Sequence, residues 1–280
     1  MLSGRAMSVL PIKERRSFLF VGAAQIDVRD GAFVVTTTDG VRTAVPLGTL
    51  TCVVLEPGTR VSHAAVALAA RLRVLLLWMG DGATRLYSAG RPGGASSEKI
   101  LRQAAHALDP ARRLHVARAL YARRFGEPPP TCRTIEQLRG FEGVRVRETY
   151  RRLAVTHGIE WTGRETERRE WSQQDLPNRC LSIANACLYG LIEAAVLVAG
   201  YSPAIGFVHW NRPLAFVYDI ADLYKFETVV PAAFTVAASG AAQPDREVRL
   251  ACRERFHDSN LLRGVIRDIE SVLDHGGGGS

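Results

Sequence analysis

Leu86-Tyr87-Ser88-Ala89-Gly90-Arg91-Pro92-Gly93-Gly94 is the stretch that divides the chain. Glycine and proline crowd its last five positions, and that composition favours a turn over any regular element. N-terminal to the cluster the residues carry strand signals, and beyond it helix signals replace them almost completely. The expected fold class is α+β multidomain, with a β-rich domain over residues 1–92 and an all-helical domain over 93–275. Residues 276–280, Gly-Gly-Gly-Gly-Ser, have the composition of a flexible linker or a scar.

Working back from the divide, residues 17–21, 25–28 and 32–37 are runs of β-branched and aromatic side chains. Asp30-Gly31 and Asp39-Gly40 supply hairpin turns between strands. Residues 41–45 and 50–55 continue the pattern, and one helix over 61–72 interrupts it before the very apolar 74–78. Working forward, Asp109 before Pro110 is a cap with proline at the first helical position, opening a helix that stops at Gly126. Thr134 with Gln137 is a capping-box signature for a helix that ends near Gly158. Asp175 caps a helix over 176–199, closed by Gly200. Trp210-Asn211-Arg212-Pro213 reads as a turn, helix resumes from Asp219, and Pro231 is expected to kink or end it.

A length of 280 residues suits two domains at roughly 150 residues each. With 47% hydrophobic and 23% charged residues, a disordered or fibrous chain is excluded. The five cysteines are scattered without a paired spacing, which points away from a disulfide framework or a zinc site and toward a reducing cytoplasm. Residues 1–10 lack the apolar run of a secretory signal. The apolar run 183–200 contains Asn185 and Glu193 and is expected to be a buried central helix rather than a membrane span. The net charge is +8, and only three of the 36 basic residues are lysine: Lys13, Lys99 and Lys225. The positive excess suggests a nucleic-acid partner, whereas the choice of arginine over lysine also follows from codon bias in a GC-rich genome.

Glu142 is unusual. Its helix carries Leu138, Glu142, Val146, Tyr150 and Leu153 at steps of three and four, so the carboxylate falls on the apolar stripe and needs a partner. That partner is either a ligand or an interior arginine such as Arg145 or Arg147. Gly140 and Gly143 flank it, each weakening the helix, as expected where something approaches the backbone closely. Arg139, Arg145, Arg147, Arg151 and Arg152 form the opposite face, either a solvated surface or a phosphate-contacting ridge. His209 ends an apolar run just before the turn, a place where a core or turn histidine is as natural as a ligand. Asp219 and Asp222 read as a helix cap followed by a second acid. Together these side chains make an oxygen-plus-nitrogen donor set suited to Mg²⁺ or Mn²⁺.

Phe207-Val-His-Trp-Asn-Arg-Pro-Leu-Ala-Phe-Val-Tyr-Asp-Ile-Ala-Asp222 closely resembles the CRISPR-associated spacer-acquisition integrases, the Cas-one family. Leu138-Arg-Gly-Phe-Glu-Gly-Val-Arg-Val-Arg147, Leu55-Glu-Pro-Gly-Thr-Arg-Val-Ser-His-Ala-Ala65 and Pro244-Asp-Arg-Glu-Val-Arg-Leu-Ala-Cys252 match as well. The likeness runs over about residues 11–273 and is greatest to the type I-E branch. The resemblance implies an N-terminal β-sandwich followed by an all-helical catalytic domain, with Glu142, His209 and Asp222 as metal ligands and Asp219 as an additional acid. It implies transesterification, in which a 3′-hydroxyl of a short prespacer attacks a phosphodiester in the leader-proximal repeat of a CRISPR array. A structure-specific endonuclease acting on branched DNA is the alternative that the same site allows, and a catalytically idle DNA scaffold is a third. Implied partners are double-stranded DNA, a second copy of the chain and a small Cas-two protein in a heterohexamer. Implied DNA contacts are Arg60, Arg85, Arg113, Arg164, Arg246 and Arg249, with Tyr189, Arg212, Tyr218 and Lys225 lining the pocket. Where type I-E relatives carry a tyrosine wedge this chain has Ala23, and the Gly-rich end stands where relatives have a longer tail that grips the small partner.

Overall fold

In the computed structural model the described residues are 17–47, 50–80, 85–90, 97–130, 134–164, 175–258 and 261–274. The strand-rich part holds β1 (Ser17–Val21), β2 (Ala24–Arg29), β3 (Ala32–Thr37), β4 (Arg42–Val45), β5 (Leu50–Leu55), β6 (Arg60–Val61), helix α1 (His63–Leu72), β7 (Leu75–Met79) and β8 (Leu86–Ala89). They form two four-stranded sheets, in the order β4-β3-β2-β6 and β1-β5-β7-β8.

The first sheet is the one that the hairpin signals describe. Asp30 and Gly31 both adopt positive φ, 51° and 75°, the turn geometry that joins β2 to β3 in antiparallel register. Gly40, at φ 85°, closes the next turn, and β3 pairs antiparallel with β4. The second sheet is built differently. Strands β1, β5 and β7 run parallel, with only β8 antiparallel at the edge. Parallel neighbours need crossover connections, and α1 lies on the one between β5 and β7.

Burial explains the sequences of the two sheets. Ile26, Phe33 and Val35 face Val53, Leu55 and Leu76 across a shared core that α1 closes with Ala65, Leu68 and Ala69. The other face of the parallel sheet, with Cys52, Val54, Leu75 and Leu77, packs on Ala194, Leu197 and Val198 of the helical half. Covered on both faces, β7 reads as an unbroken apolar run and β5 as one interrupted only by Thr51, rather than as alternating ones.

Helices begin at α2 (Ser97–Leu108) and continue with α3 (Pro110–Phe125), α4 (Ile135–Thr156) and α5 (Leu176–Ala199). Three caps form as expected. Asp109 accepts from the backbone N–H of Ala111 and Arg112, Thr134 from Gln137, and Asp175 from Asn178. Helix α5 is long and apolar enough to cross a membrane, but two thirds of its apolar window is buried (67%) and it forms the centre of the helical core. The remaining helices are α6 (Ala215–Ala221), α7 (Val229–Ala238), α8 (Pro244–Asp258) and α9 (Leu261–Asp274).

Two expectations need correction. Helix resumes at Ala215 rather than at Asp219, because the chain leaves the Trp210–Pro213 turn directly into α6. Pro231 neither kinks nor ends a helix: it lies in the first turn of α7, where its missing N–H has no intrahelical partner to lose. The Gly-rich divide at 91–96, Cys132 and the tail 275–280 lie outside the described residues. The other cysteines, Cys52, Cys180, Cys187 and Cys252, are free and buried.

Candidate active site

The end of α3, the middle of α4, the loop before α6 and the end of α6 meet at one small pocket. Arg124, Glu142, His209, Asp219 and Asp222 line it, with Leu120 and Leu138 as its apolar floor. The free volume at its centre is about 20 Å³, room for one ion or water. Gly206 lets the loop turn this tightly. A Cβ there would lie 2.5 Å from the His209 carbonyl oxygen and 2.8 Å from Ala215 Cβ, so no other residue fits.

Asp219 holds one side of the pocket rigid. Its side chain is fully buried in the interior of α6 and is not a helix cap. Oδ2 accepts from the backbone N–H of Phe207 (2.6 Å) and Val208 (3.2 Å), and Oδ1 from that of His209 (2.9 Å). Oδ1 also lies 2.8 Å from His209 Nδ1, which fixes that nitrogen as the donor and leaves Nε2 available to a ligand. The carboxylate thus shapes the loop and orients the imidazole in one stroke.

The opposite side is held by cations. Glu142 is the inward carboxylate its register predicts, but its partner is Arg124 and neither Arg145 nor Arg147. Arg145 instead pairs with Glu127 and stacks over Phe125, so it leaves the solvated ridge to Arg139, Arg147, Arg151 and Arg152. Arg124 Nη1 also reaches Asp222 Oδ2 at 3.4 Å, and Lys225 Nζ takes Asp222 Oδ1 at 2.6 Å. Burial alone would raise the Asp222 carboxyl, yet the charges of Lys225, Arg124 and His209 outweigh it and hold it below the usual carboxylate range. Burial likewise works against the Lys225 ammonium, and Asp222 more than restores it. Nothing lies within 4 Å of a Cβ built at Gly140, and only Arg147 Nη1, at 3.6 Å, is near one at Gly143. Among the described residues nothing makes the close approach expected there.

As a metal site, the donors fit Mg²⁺ or Mn²⁺ in kind: two carboxylates and an oriented imidazole share one pocket. They are not gathered as a ligand cluster. Among the described residues no three His, Cys, Asp or Glu side chains stand together at ligand spacing, and the Arg124 guanidinium lies between Glu142 and Asp222. The sequence reading passed over Arg124. The register test that singled out Glu142 finds it too, since Val116, Ala117, Leu120 and Arg124 share the inner stripe of α3.

The remaining expected residues scatter. Tyr189, Tyr218 and Lys225 gather beside the cavity: Tyr218 packs edge-on against His209, Tyr189 against Tyr218, and Lys225 pairs with Asp222 and lies over the Tyr189 ring. Arg212 follows the turn at Asn211 (φ 54°) and lines a groove with Leu108 and Trp210. Arg113 and Arg164 are tied internally. Arg113 donates to the Phe207 carbonyl and stacks 4.2 Å over Trp210, and Arg164 donates to Asn178 and Ser182. Arg60, Arg85 and Arg246 are exposed and Arg249 is half-buried. Ala23, at the wedge position, is exposed with φ 42° and backs onto Gly58.

A strand-rich region followed by a helical one that carries an acid-and-histidine pocket defines the class of protein, and comparison with known proteins narrows it. The family profile described as "CRISPR associated protein Cas1" matches residues 18–128 and 122–253. The CRISPR-associated endonuclease Cas1 of Geobacter sulfurreducens is 56% identical over 268 residues, covering 96% of this chain and 88% of that protein. The Escherichia coli K12 protein of the same name is 53% identical over 270 residues, with 96% and 88% covered. The solved structure of a TtCas1–DNA complex superposes with a TM-score of 0.83 at 40% identity, over 94% of this chain and 97% of that one. The chain belongs to the Cas1 family of CRISPR-associated endonucleases.

Proposed function

We propose that this protein is a divalent-metal-dependent DNA integrase of CRISPR adaptation, joining prespacer DNA to the leader-proximal repeat by 3′-hydroxyl attack. The observation that carries the reading is the meeting of Glu142, Asp222 and an imidazole oriented by Asp219 in one pocket. Glu142, Asp222 and His209 Nε2 are the groups that would hold Mg²⁺ or Mn²⁺, which when bound supplies polarisation of a phosphoryl oxygen and of the attacking hydroxyl. In the transfer a new P–O bond forms to the prespacer 3′-oxygen, the bond to the 3′-oxygen of the repeat strand breaks, and that oxygen leaves with a proton. Asp219 contributes by fixing the His209 tautomer, and Lys225 by keeping Asp222 ionised. A titratable acid thereby stays charged beside a polyanion.

The net charge of +8 and the exposed Arg60, Arg85 and Arg246 support double-stranded DNA as the substrate, as does the likeness to a Cas1 solved with DNA. A second copy of the chain and a small Cas-two protein complete the assembly that this reading entails. That the relatives are named endonucleases favours a second reading in which water is the nucleophile and branched DNA is cut.

A strand-transfer assay with labelled prespacer and a leader-repeat target separates them. Joined product that depends on the donor 3′-hydroxyl and on Mn²⁺, and that is lost in Glu142→Ala, is the expected result. Cleavage without joining would favour the hydrolytic reading, and full activity of Glu142→Ala would end both. Arg60→Ala and Arg246→Ala are each expected to weaken DNA binding and to lower the salt dependence of log K by about 1.

A further inference from the structure

We infer that Arg124 is a built-in counterion that takes the cation position between Glu142 and Asp222, so that a divalent ion binds only as this guanidinium withdraws. The inference rests on the metal reading above and concerns what the same carboxylates do without the ion.

Several features of the chain converge on it. The Arg124 side chain is only 6% exposed, and one nitrogen, Nη1, bonds both carboxylates. Besides the carboxylates, the guanidinium has the faces of two rings, at 5.3 Å from the Phe125 centroid and 5.4 Å from that of Phe226, cation–π contacts weaker than a hydrogen-bonded ion pair. Its Nε is buried and has no hydrogen-bond partner. A purely structural arginine is tied down more fully, as Arg164 is, with bonds to the Asn178 carbonyl, the Asn178 side chain and Ser182. Arg124 is therefore strongly attracted to the carboxylates and incompletely satisfied elsewhere, which is the balance of a group that leaves its place.

Electrostatics supplies the reason. Two carboxylates withdrawn from water repel each other and need a cation, and an unpaired buried charge is costly. Arg124 and Lys225 meet that need. The guanidinium already fills the position between Glu142 and Asp222, and a divalent ion in the remaining space of about 20 Å³ would lie directly against it. Like charges at such separation would also oppose each other strongly. A released guanidinium retains the fork that pairs bidentately with phosphate. Arrival of a DNA phosphate would then draw Arg124 off the carboxylates and open the cation position together with the substrate's own charge.

Manganese binding tests this without turnover. MnCl₂ is titrated into the full chain in chelator-free buffer, with no DNA, and free Mn²⁺ is followed by electron paramagnetic resonance. Arg124→Gln is expected to bind Mn²⁺ about tenfold more tightly than the unaltered protein. Equal or weaker binding by Arg124→Gln, with the unaltered protein still binding, would overturn the counterion role alone. No binding by either protein would overturn it together with the metal reading. Should Arg124→Gln not fold, the unaltered protein carries the test through the slowly exchanging Nη resonance of Arg124, assigned by its absence in Arg124→Lys. Loss of that resonance at saturating MgCl₂ is expected, and its persistence would overturn the inference.

Discussion

Two sides of one pocket meet the same problem, a carboxylate withdrawn from water, in opposite ways. Asp219 is satisfied by three backbone N–H groups and a ring nitrogen that belong to the loop before α6, so its partners cannot leave without unfolding that loop. Glu142 and Asp222 are satisfied by long side chains from other positions, Arg124 and Lys225, and such partners can be exchanged. The difference teaches which half of the site is scaffold and which half is available for chemistry. A fixed half orients the imidazole, and an exchangeable half can accept a different cation.

The comparison breaks most readily at Asp219. Asp219→Ala would leave three buried N–H groups without an acceptor and is expected to cost about 4 kcal/mol in urea unfolding, with loss of strand transfer. A cost below about 1 kcal/mol would show that water replaces the carboxylate and that the corner is not rigid. Gly206→Ala attacks the same corner through the backbone and should cost about 2–3 kcal/mol, because its Cβ would strike the His209 carbonyl. On the exchangeable side, Glu142→Gln should cost about 2 kcal/mol in chelator, less than Asp219→Ala because the amide oxygen still accepts from Arg124 and Arg124 keeps Asp222, while lowering strand transfer about 100-fold or more. Stability and activity therefore part company there and fall together at Asp219. The smallest effect is expected at Gly140→Ala, a helix-interior site with open space around it, which should gain about 0.5–1 kcal/mol in the free protein. A loss instead would mean that α4 packs more closely than its surroundings indicate.

Much of this architecture could be read from the residues in order. Asp30-Gly31, Asp109-Pro110, Thr134, Asp175 and Gly200 act through neighbours a few positions away, and local chemistry determines them wherever the rest of the chain goes. The inward register of Glu142 is equally local, because a helix repeats every 3.6 residues. Other features depended on distant partners. The parallel pairing of β1, β5 and β7 follows from which faces become covered, and no turn residue encodes it. Residues read as independent candidates proved unlike in kind. Asp219 became the anchor of the His209 loop, Arg113 and Arg164 became internal ties, and Arg124, one arginine among many in the sequence, became the partner of two carboxylates. Sequence alone determined where the capped helices α3, α4 and α5 start and that Glu142 faces inward, since those are properties of consecutive residues. Tertiary structure decided which charge meets which, since an ion pair between positions 124 and 222 exists only when α3 and α6 are brought together.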